Sequence, residues 1–463
     1  MANRQKITAL LIIATVISAV GGILFGFDTG IISGAILFIQ KDWNLSTTQE
    51  SIATSSVLIG AILGALLGGF LADRLGRKYS IIAGSAMFIF GTLIVVASPG
   101  LPIFVVGRIL IGIAIGIASF IVPMYISELS PERIRGSLVS LNQLFVTLGI
   151  LVSYGVDTFF STTGAWRLMF ASGLVAGTIL LIGMSFMPFS PRWLVLKNNP
   201  EKAKQVLQSV RGTNDVQQEI EEIRETTKTV TKGLAQFKTP MLKYPLIVGL
   251  GLAIFQQITG VNTIIYYAPT IFQFAGLSSD TAAIAATTGV GAANLIMTAV
   301  ALVLVDRVGR RPLLLVGTAG MVASLLILGA GFAFAGAVGQ ASTVGIITAI
   351  SLIAYISFFA IGLGPVFWLL ISEIFPLQAR GTAMSIATVA NWSANFLITL
   401  LFLGLVGVLG QSGTFWLFAA IGVVSFLFTL RLVPETKGLT LEEIENHFKS
   451  GKHPRHLKRL TNR

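Results

Sequence analysis

Asp28 stands near the middle of an apolar run from Ala9 to Ile39. A carboxylate at that depth has no water around it and costs about 2.5 to 3.5 kcal/mol on insertion scales, so one that is kept has a use. The other charge well inside an apolar stretch is Arg108. The two can meet, because the first span runs outward, the fourth runs inward, and at about 1.5 Å per residue both charges fall in the outer half. At about 4 Å and an effective dielectric of about 20, their attraction is roughly 4 kcal/mol, comparable with the insertion cost of one charge. Burial raises an Asp pKa and a neighbouring Arg lowers it, so separating the pair changes proton affinity, as a coupled proton site requires. A permanent ion pair that only fixes helix packing is the plainer alternative. Six amides, Gln143, Gln256, Gln257, Asn262, Asn294 and Asn391, also lie in apolar stretches. Each can donate and accept without adding charge. A single such amide would serve as glue between helices.

The elements that hold these residues are membrane helices. With 54% hydrophobic and 11% charged residues and a mean hydropathy of +0.83, the 463 residues could not form a soluble globule without large exposed apolar patches. Apolar segments of about 20 residues or more recur near 9–39, 51–72, 79–98, 102–127, 137–160, 166–188, 245–274, 281–305, 312–334, 342–372, 382–408 and 413–433. The expected fold is all-α, with twelve transmembrane helices, since barrel strands would alternate in polarity. The first run is too long for a secretory signal and reads as an uncleaved span.

The net charge of +12 is not spread as in a nucleic-acid binder. Lys and Arg gather at 74–78, 307–311, 189–243 and after Arg431, while the opposite turns hold almost none. This positive-inside pattern predicts a multi-pass protein with both termini in the cytoplasm. There are no cysteines and only three histidines, so neither a disulfide nor a metal site is suggested, and no cofactor is called for.

The chain repeats itself. Asp73-Arg-Leu-Gly-Arg-Lys78 reappears as Asp306-Arg-Val-Gly-Arg-Arg311, and Ser127-Glu128 with Arg135-Gly136 as Ser372-Glu373 with Arg380-Gly381. Basic turns alone would obey the charge rule, but matching acid spacing in the same order implies a six-plus-six duplication. The predicted boundaries are 1–188 for the first half, 189–243 for a cytoplasmic helical linker, 244–433 for the second half and 434–463 for a cytoplasmic tail. Within the linker, Ser190-Pro191 and Asn199-Pro200 each read as an N-cap with proline at the first helical position. In the tail, Thr440 to Glu443 reads as a capping box, followed by a basic end from Lys449 to Arg463 resting in solvent or on anionic lipid. Gly260 within 256–262, and Gly362, Gly364 and Pro365, predict interruptions of the seventh and tenth spans, the pattern that points to a midplane substrate site. Gly26, Gly30 and Gly34, and likewise Gly60, Gly64 and Gly68, read as close helix packing.

The two Asp-Arg-x-Gly-Arg turns resemble the signature loops of the major facilitator superfamily. Gly107-Arg108, Pro123 to Glu128, Ser190 to Trp193, Gln256 to Asn262 with Tyr266-Tyr267, and Pro434 to Gly438 resemble more narrowly the sugar porters, over about Gly21 to Gly438. Phe189 departs, standing where that family usually carries Glu. The resemblance implies that the six amides contact a sugar, with Trp368 as aromatic platform and Phe25 and Tyr266 closing the site. It also implies that Asp28 is the proton site of a symporter, with Arg108 as its modulator. Asp73, Arg77, Glu128, Arg135, Asp306, Arg310, Glu373 and Arg380 would form a cytoplasmic gate that stabilises the outward-facing state. The expected activity is therefore proton-coupled import of a hexose, glucose in first place, across the inner membrane by a functional monomer. Its partners would be a monosaccharide, a proton and the bilayer, without nucleic acid. A passive uniporter is the alternative, and a non-transporting sugar sensor a more distant one that would be expected to carry a longer tail. An enzyme is not suggested: no nucleophile and base motif or nucleotide loop is evident.

Overall fold

The computed structural model describes residues 8–228, 240–334, 341–376, 380–439, 441–449, 454 and 457, and every regular element among them is helical. Lipid offers backbone groups no hydrogen bonds, and helices satisfy their own. The first six long helices are α1 (Ala9–Trp43), α2 (Thr47–Arg74), α3 (Gly76–Ala97), α4 (Leu101–Leu129), α5 (Arg135–Ser161) and α6 (Trp166–Phe186). Short polar helices follow, α7 (Pro191–Leu196), α8 (Pro200–Arg211) and α9 (Gln217–Lys228). The second series is α10 (Pro240–Ile258), α11 (Val261–Tyr266), α12 (Ala268–Phe274), α13 (Asp280–Val308), α14 (Arg310–Ala333), α15 (Ala341–Ile361), α16 (Leu363–Ile374) and α17 (Arg380–Leu432), with α18 (Leu441–Lys449) in the tail.

Among the described residues, eleven candidate spans are long and apolar enough to cross a membrane. The twelfth is contained in α17, whose 53 residues are two helices joined at Gly410, where φ is 69° and ψ 174°. The seventh and tenth spans are broken where the sequence predicts. Gly260 separates α10 from α11 in a left-handed conformation with φ 95°, and Gly362 separates α15 from α16.

Contacts group the chain into two compact units. The first comprises residues 1–28, 56–150 and 170–232. Here α2 and α4 meet through small residues: a Cβ on Gly60 would stand 2.0 Å from the Ile109 carbonyl oxygen, and one on Gly64 would stand 2.2 Å from that of Ile113. The linker helices belong to this unit. The Ser190 hydroxyl caps α7 by accepting from the Trp193 amide at 3.1 Å, and the Asn199 side chain caps α8 by accepting from Lys202 at 3.2 Å. Leu194, Val195 and Ala203 form their small core. Arg211, 2% exposed, locks the linker down by donating to Glu219 at 2.6 and 3.2 Å and to the Leu129 carbonyl, at the end of α4, at 2.5 Å.

The second unit comprises residues 29–55, 151–169 and 233–463. It joins one end of α1, α2, α5 and α6 to the second helical series. The Tyr154 hydroxyl donates to the Ile265 carbonyl at 3.0 Å, Thr158 bonds Thr288 at 3.1 Å, and Lys41 pairs with Asp280. The α1 helix passes from one unit to the other just after Asp28. Thr440 of the expected capping box, and the basic end beyond α18 apart from residues 454 and 457, lie outside the described residues.

Candidate functional site

Asp28 and Arg108 meet as an ion pair, Asp28 Oδ1 accepting from Arg108 Nη1. Arg108 is fully buried and Asp28 is 2% exposed. The helices make this possible, since α1 and α4 bring one charged side chain each to the interior of the first unit. The pair is charge-balanced but not saturated. Arg108 Nε and Nη2 have no hydrogen-bond partner, and the guanidinium lies over the Phe170 ring at 5.6 Å. A guanidinium carries five donors, so a site that engages so few of them leaves the cation able to change partners.

The amides come together at the broken helices of the second unit. Gln256 is the last turn of α10 and Asn391 faces it from α17. The Asn391 amide donates to Gln256 Oε1 at 2.7 Å and to the Ala253 carbonyl at 2.9 Å. Gln257 donates to Asn391 Oδ1 at 3.0 Å and to Gln256 Oε1 at 3.2 Å, and Asn262 donates to Gln257 Oε1 at 2.8 Å. Gln256 in turn donates to the carbonyls of Leu363 and Gly364, at 2.8 and 3.3 Å, just past the Gly362 break. One side chain therefore spans both interruptions.

Breaking a helix frees carbonyls, which must find donors in a dry interior. Two buried tyrosines supply them: Tyr355 donates to Thr259 O at 2.9 Å, and Tyr154 to Ile265 O. Trp368 is half-buried on α16, its ring 4.7 Å from that of Phe367. Tyr266 is 1% exposed at the end of α11, and Asn294 is 4% exposed on α13. Gln143 of α5 and Phe25 of α1 are half-buried in the first unit. Four of the six amides thus form one network, and Gln143 and Asn294 stand outside it.

The charged turns form two matching clusters, one in each unit. In the first, Arg77 donates to Glu128 Oε1 from Nε at 3.1 Å and Nη2 at 2.8 Å, and the Ser190 hydroxyl donates to Glu128 Oε2. In the second, Arg310 donates to Glu373 at 2.9 and 3.3 Å, and the Thr436 hydroxyl donates to the same carboxylate at 2.5 Å. Each acid is held by the turn arginine of its own sequence half. Arg135 lies exposed, and Arg380 Nε donates to the Phe375 carbonyl at 3.1 Å. Asp73 and Asp306 approach Arg77 and Arg310 at 3.9 and 3.2 Å from exposed positions, which adds little in water.

The clusters differ at one place. Glu435 accepts from the backbone amides of Arg310 and Arg311, at 3.1 and 3.0 Å, and so caps α14. Phe189 occupies the equivalent place in the first cluster. Its ring stacks on Trp193 and receives two cations instead, Lys202 Nζ at 4.7 Å and Lys78 Nζ at 5.0 Å from its centre.

Two further acids are buried near the ends of spans. Asp157, near the end of α5, is fully buried, and Glu50 in the first turn of α2 is 6% exposed. A place near a span end does not by itself imply burial, because a residue there is equally well placed to meet water. The sequence signal that could have pointed to Asp157 is its position inside the 137–160 apolar run.

The family described as sugar (and other) transporter matches residues 14–448. The glucose transporter of Staphylococcus epidermidis is 42% identical over 430 residues, which is 93% of this chain and 95% of that protein. The galactose-proton symporter of Escherichia coli is 39% identical over 444 residues, 95% of each. Among solved structures, the xylose transporter of E. coli in a partially occluded inward-open conformation superposes with a TM-score of 0.82 at 32% identity, covering 94% of this chain and all of that one.

Proposed function

The chain belongs to the sugar transporter family within the major facilitator superfamily, and on that premise we propose that it imports a monosaccharide together with a proton by alternating access. The observation that carries this reading is the buried Asp28–Arg108 pair. A pair that only fixed packing would be stronger with the guanidinium fully bonded, whereas two unbonded nitrogens suit a cation that lets its acid go and takes it back. One proton crossing 100 mV supplies about 2.3 kcal/mol, enough for roughly fifty-fold accumulation. Similarity to proteins named for glucose transport and for galactose-proton symport supports the same direction.

The substrate we assign is a hexose, glucose first. Each hydroxyl of a sugar is both donor and acceptor, and the bonds that Gln256, Gln257, Asn262 and Asn391 make to one another can be exchanged one for one for bonds to hydroxyls. Trp368 offers a flat face for the ring, and Gln143, Asn294, Phe25 and Tyr266 complete the contacts. The moving bodies are the two sequence halves, 1–188 and 244–433, with the charged turns as the inner gate. The protein works as a monomer in the bilayer with both termini in the cytoplasm.

The test is uptake of labelled glucose into vesicles with and without an imposed pH gradient, for the wild type and Asp28→Asn. The wild type should accumulate sugar in response to the gradient. Asp28→Asn keeps size and hydrogen bonding but cannot titrate, so accumulation should vanish while exchange of labelled for unlabelled sugar survives at least in part. Accumulation by Asp28→Asn would remove Asp28 from the proton path. A wild type indifferent to the gradient would make the protein a passive carrier.

A further inference from the structure

Asp157 is a fully buried carboxyl group that neither the ion pair at Asp28 nor the amide network uses. Its Oδ2 accepts from the backbone amide of Gly34 in α1 at 3.1 Å, and its Oδ1 has no hydrogen-bond partner. The approach is closer than any other residue at 34 would allow, for a Cβ there would stand 2.5 Å from the Asp157 carboxyl carbon. One turn earlier, the Ser33 hydroxyl donates to Gly30 O at 2.7 Å, so the carbonyl that the Gly34 amide would bond within the helix is shared, and the amide has a second acceptor in Asp157.

No cation balances this acid among the described residues. From its own helix the titratable neighbour is Tyr154, whose hydroxyl is committed to Ile265 O, and beyond it stands Tyr266 of α11. From α13 come Gly291, packed on the Tyr154 ring, and Thr288, bonded to Thr158. From α1 comes Gly34, and the charges farther along that helix are engaged elsewhere, Lys41 with Asp280 and Asp42 with Trp166 and Arg167. An ionised carboxylate with one amide donor and no counter-charge is far costlier in a dry interior than the neutral acid. The neutral acid needs one donor to Oδ2, which it has in the Gly34 amide, and one acceptor for the O–H at Oδ1, which only water or a rearrangement would bring.

We propose that Asp157 is a second proton-binding site of the transporter, holding its proton as the carboxylic acid in the arrangement seen here and releasing it only when water reaches Oδ1. The step is the addition or loss of one proton at that oxygen, with no other bond changed. It rests on the reading of the protein as a proton-coupled transporter, in which such a group sets how transport responds to pH separately from Asp28.

Infrared difference spectra of the purified full-length protein test the proton directly. At neutral pH the wild type and Asp28→Asn should both show a carbonyl stretch from a protonated carboxylic acid, and Asp157→Asn should lose it. Asp157→Glu, should Asp157→Asn fail to fold, retains a titratable group and should move that band. A spectrum in which no acid band depends on residue 157 overturns the proposal. Sugar exchange gives a second reading: in Asp28→Asn it should change severalfold with external pH, and in Asp28→Asn combined with Asp157→Asn it should be flat. An unaltered pH profile in the double variant also overturns it. A wild type that shows the band but no gradient-driven uptake would instead refute symport and leave the proton on Asp157.

Discussion

At the scale of single residues, the amide network makes the sharpest statement about binding. Gln256 bonds Asn391, Gln257 and the backbone at Leu363 and Gly364, so its loss removes a hub. Gln256→Ala is expected to weaken glucose binding by about 1 to 3 kcal/mol, roughly 5- to 150-fold, and Trp368→Ala by a comparable factor, as measured by calorimetry on purified protein. Near-wild-type affinity in both would move the site elsewhere. The residue types of this network are legible in the sequence because amides are conspicuous in apolar spans. Its bonds are not, because Asn391 lies more than a hundred positions from Gln256, and nothing local says which oxygen faces which nitrogen. Asp157 shows the opposite failure. Its type and place in a span can be read, but its burial comes from Gly34 on a different helix.

At the scale of elements, the breaks are where sequence and structure agree most closely. Gly260 takes a left-handed conformation that costs other residues about 1 kcal/mol or more, and a Cβ there would also stand 2.7 Å from the Phe418 ring. Proline and capping residues likewise mark the linker helices at Ser190 and Asn199. What the sequence does not disclose is the support of the broken seventh span by tyrosines from other helices, Tyr355 at Thr259 and Tyr154 at Ile265. Tyr355→Phe removes only the hydroxyl that satisfies Thr259 O. It should lower stability by about 1 to 3 kcal/mol, the cost of a buried carbonyl left unbonded, and thermal unfolding in detergent should show a lower midpoint. An unchanged midpoint would mean that another donor takes over.

At the scale of the whole molecule, the duplication governs the charged turns. Glu128 with Arg77 and Ser190, and Glu373 with Arg310 and Thr436, are the same arrangement written twice. If these clusters brace the inner gate, Arg77→Ala leaves Glu128 without its cation and should shift the population toward the inward-facing state, with sugar contacts intact. Labelling of an engineered cysteine in the inner cavity reads that shift, and an unchanged labelling rate would count against the gate. The connections at the ends remote from the linker helices are also informative in another way. Those at 44–46, 98–100, 162–165 and 275–279 are a few residues each, and the last is Gly410 alone. Proteases need several residues of extended, exposed chain to cut. Among the described residues these connections offer little to grip, whereas the connection between Phe186 and Pro240, on the other side of the membrane, is far longer in sequence. Digestion of sealed vesicles would therefore betray which way round the protein has been inserted, with no label attached.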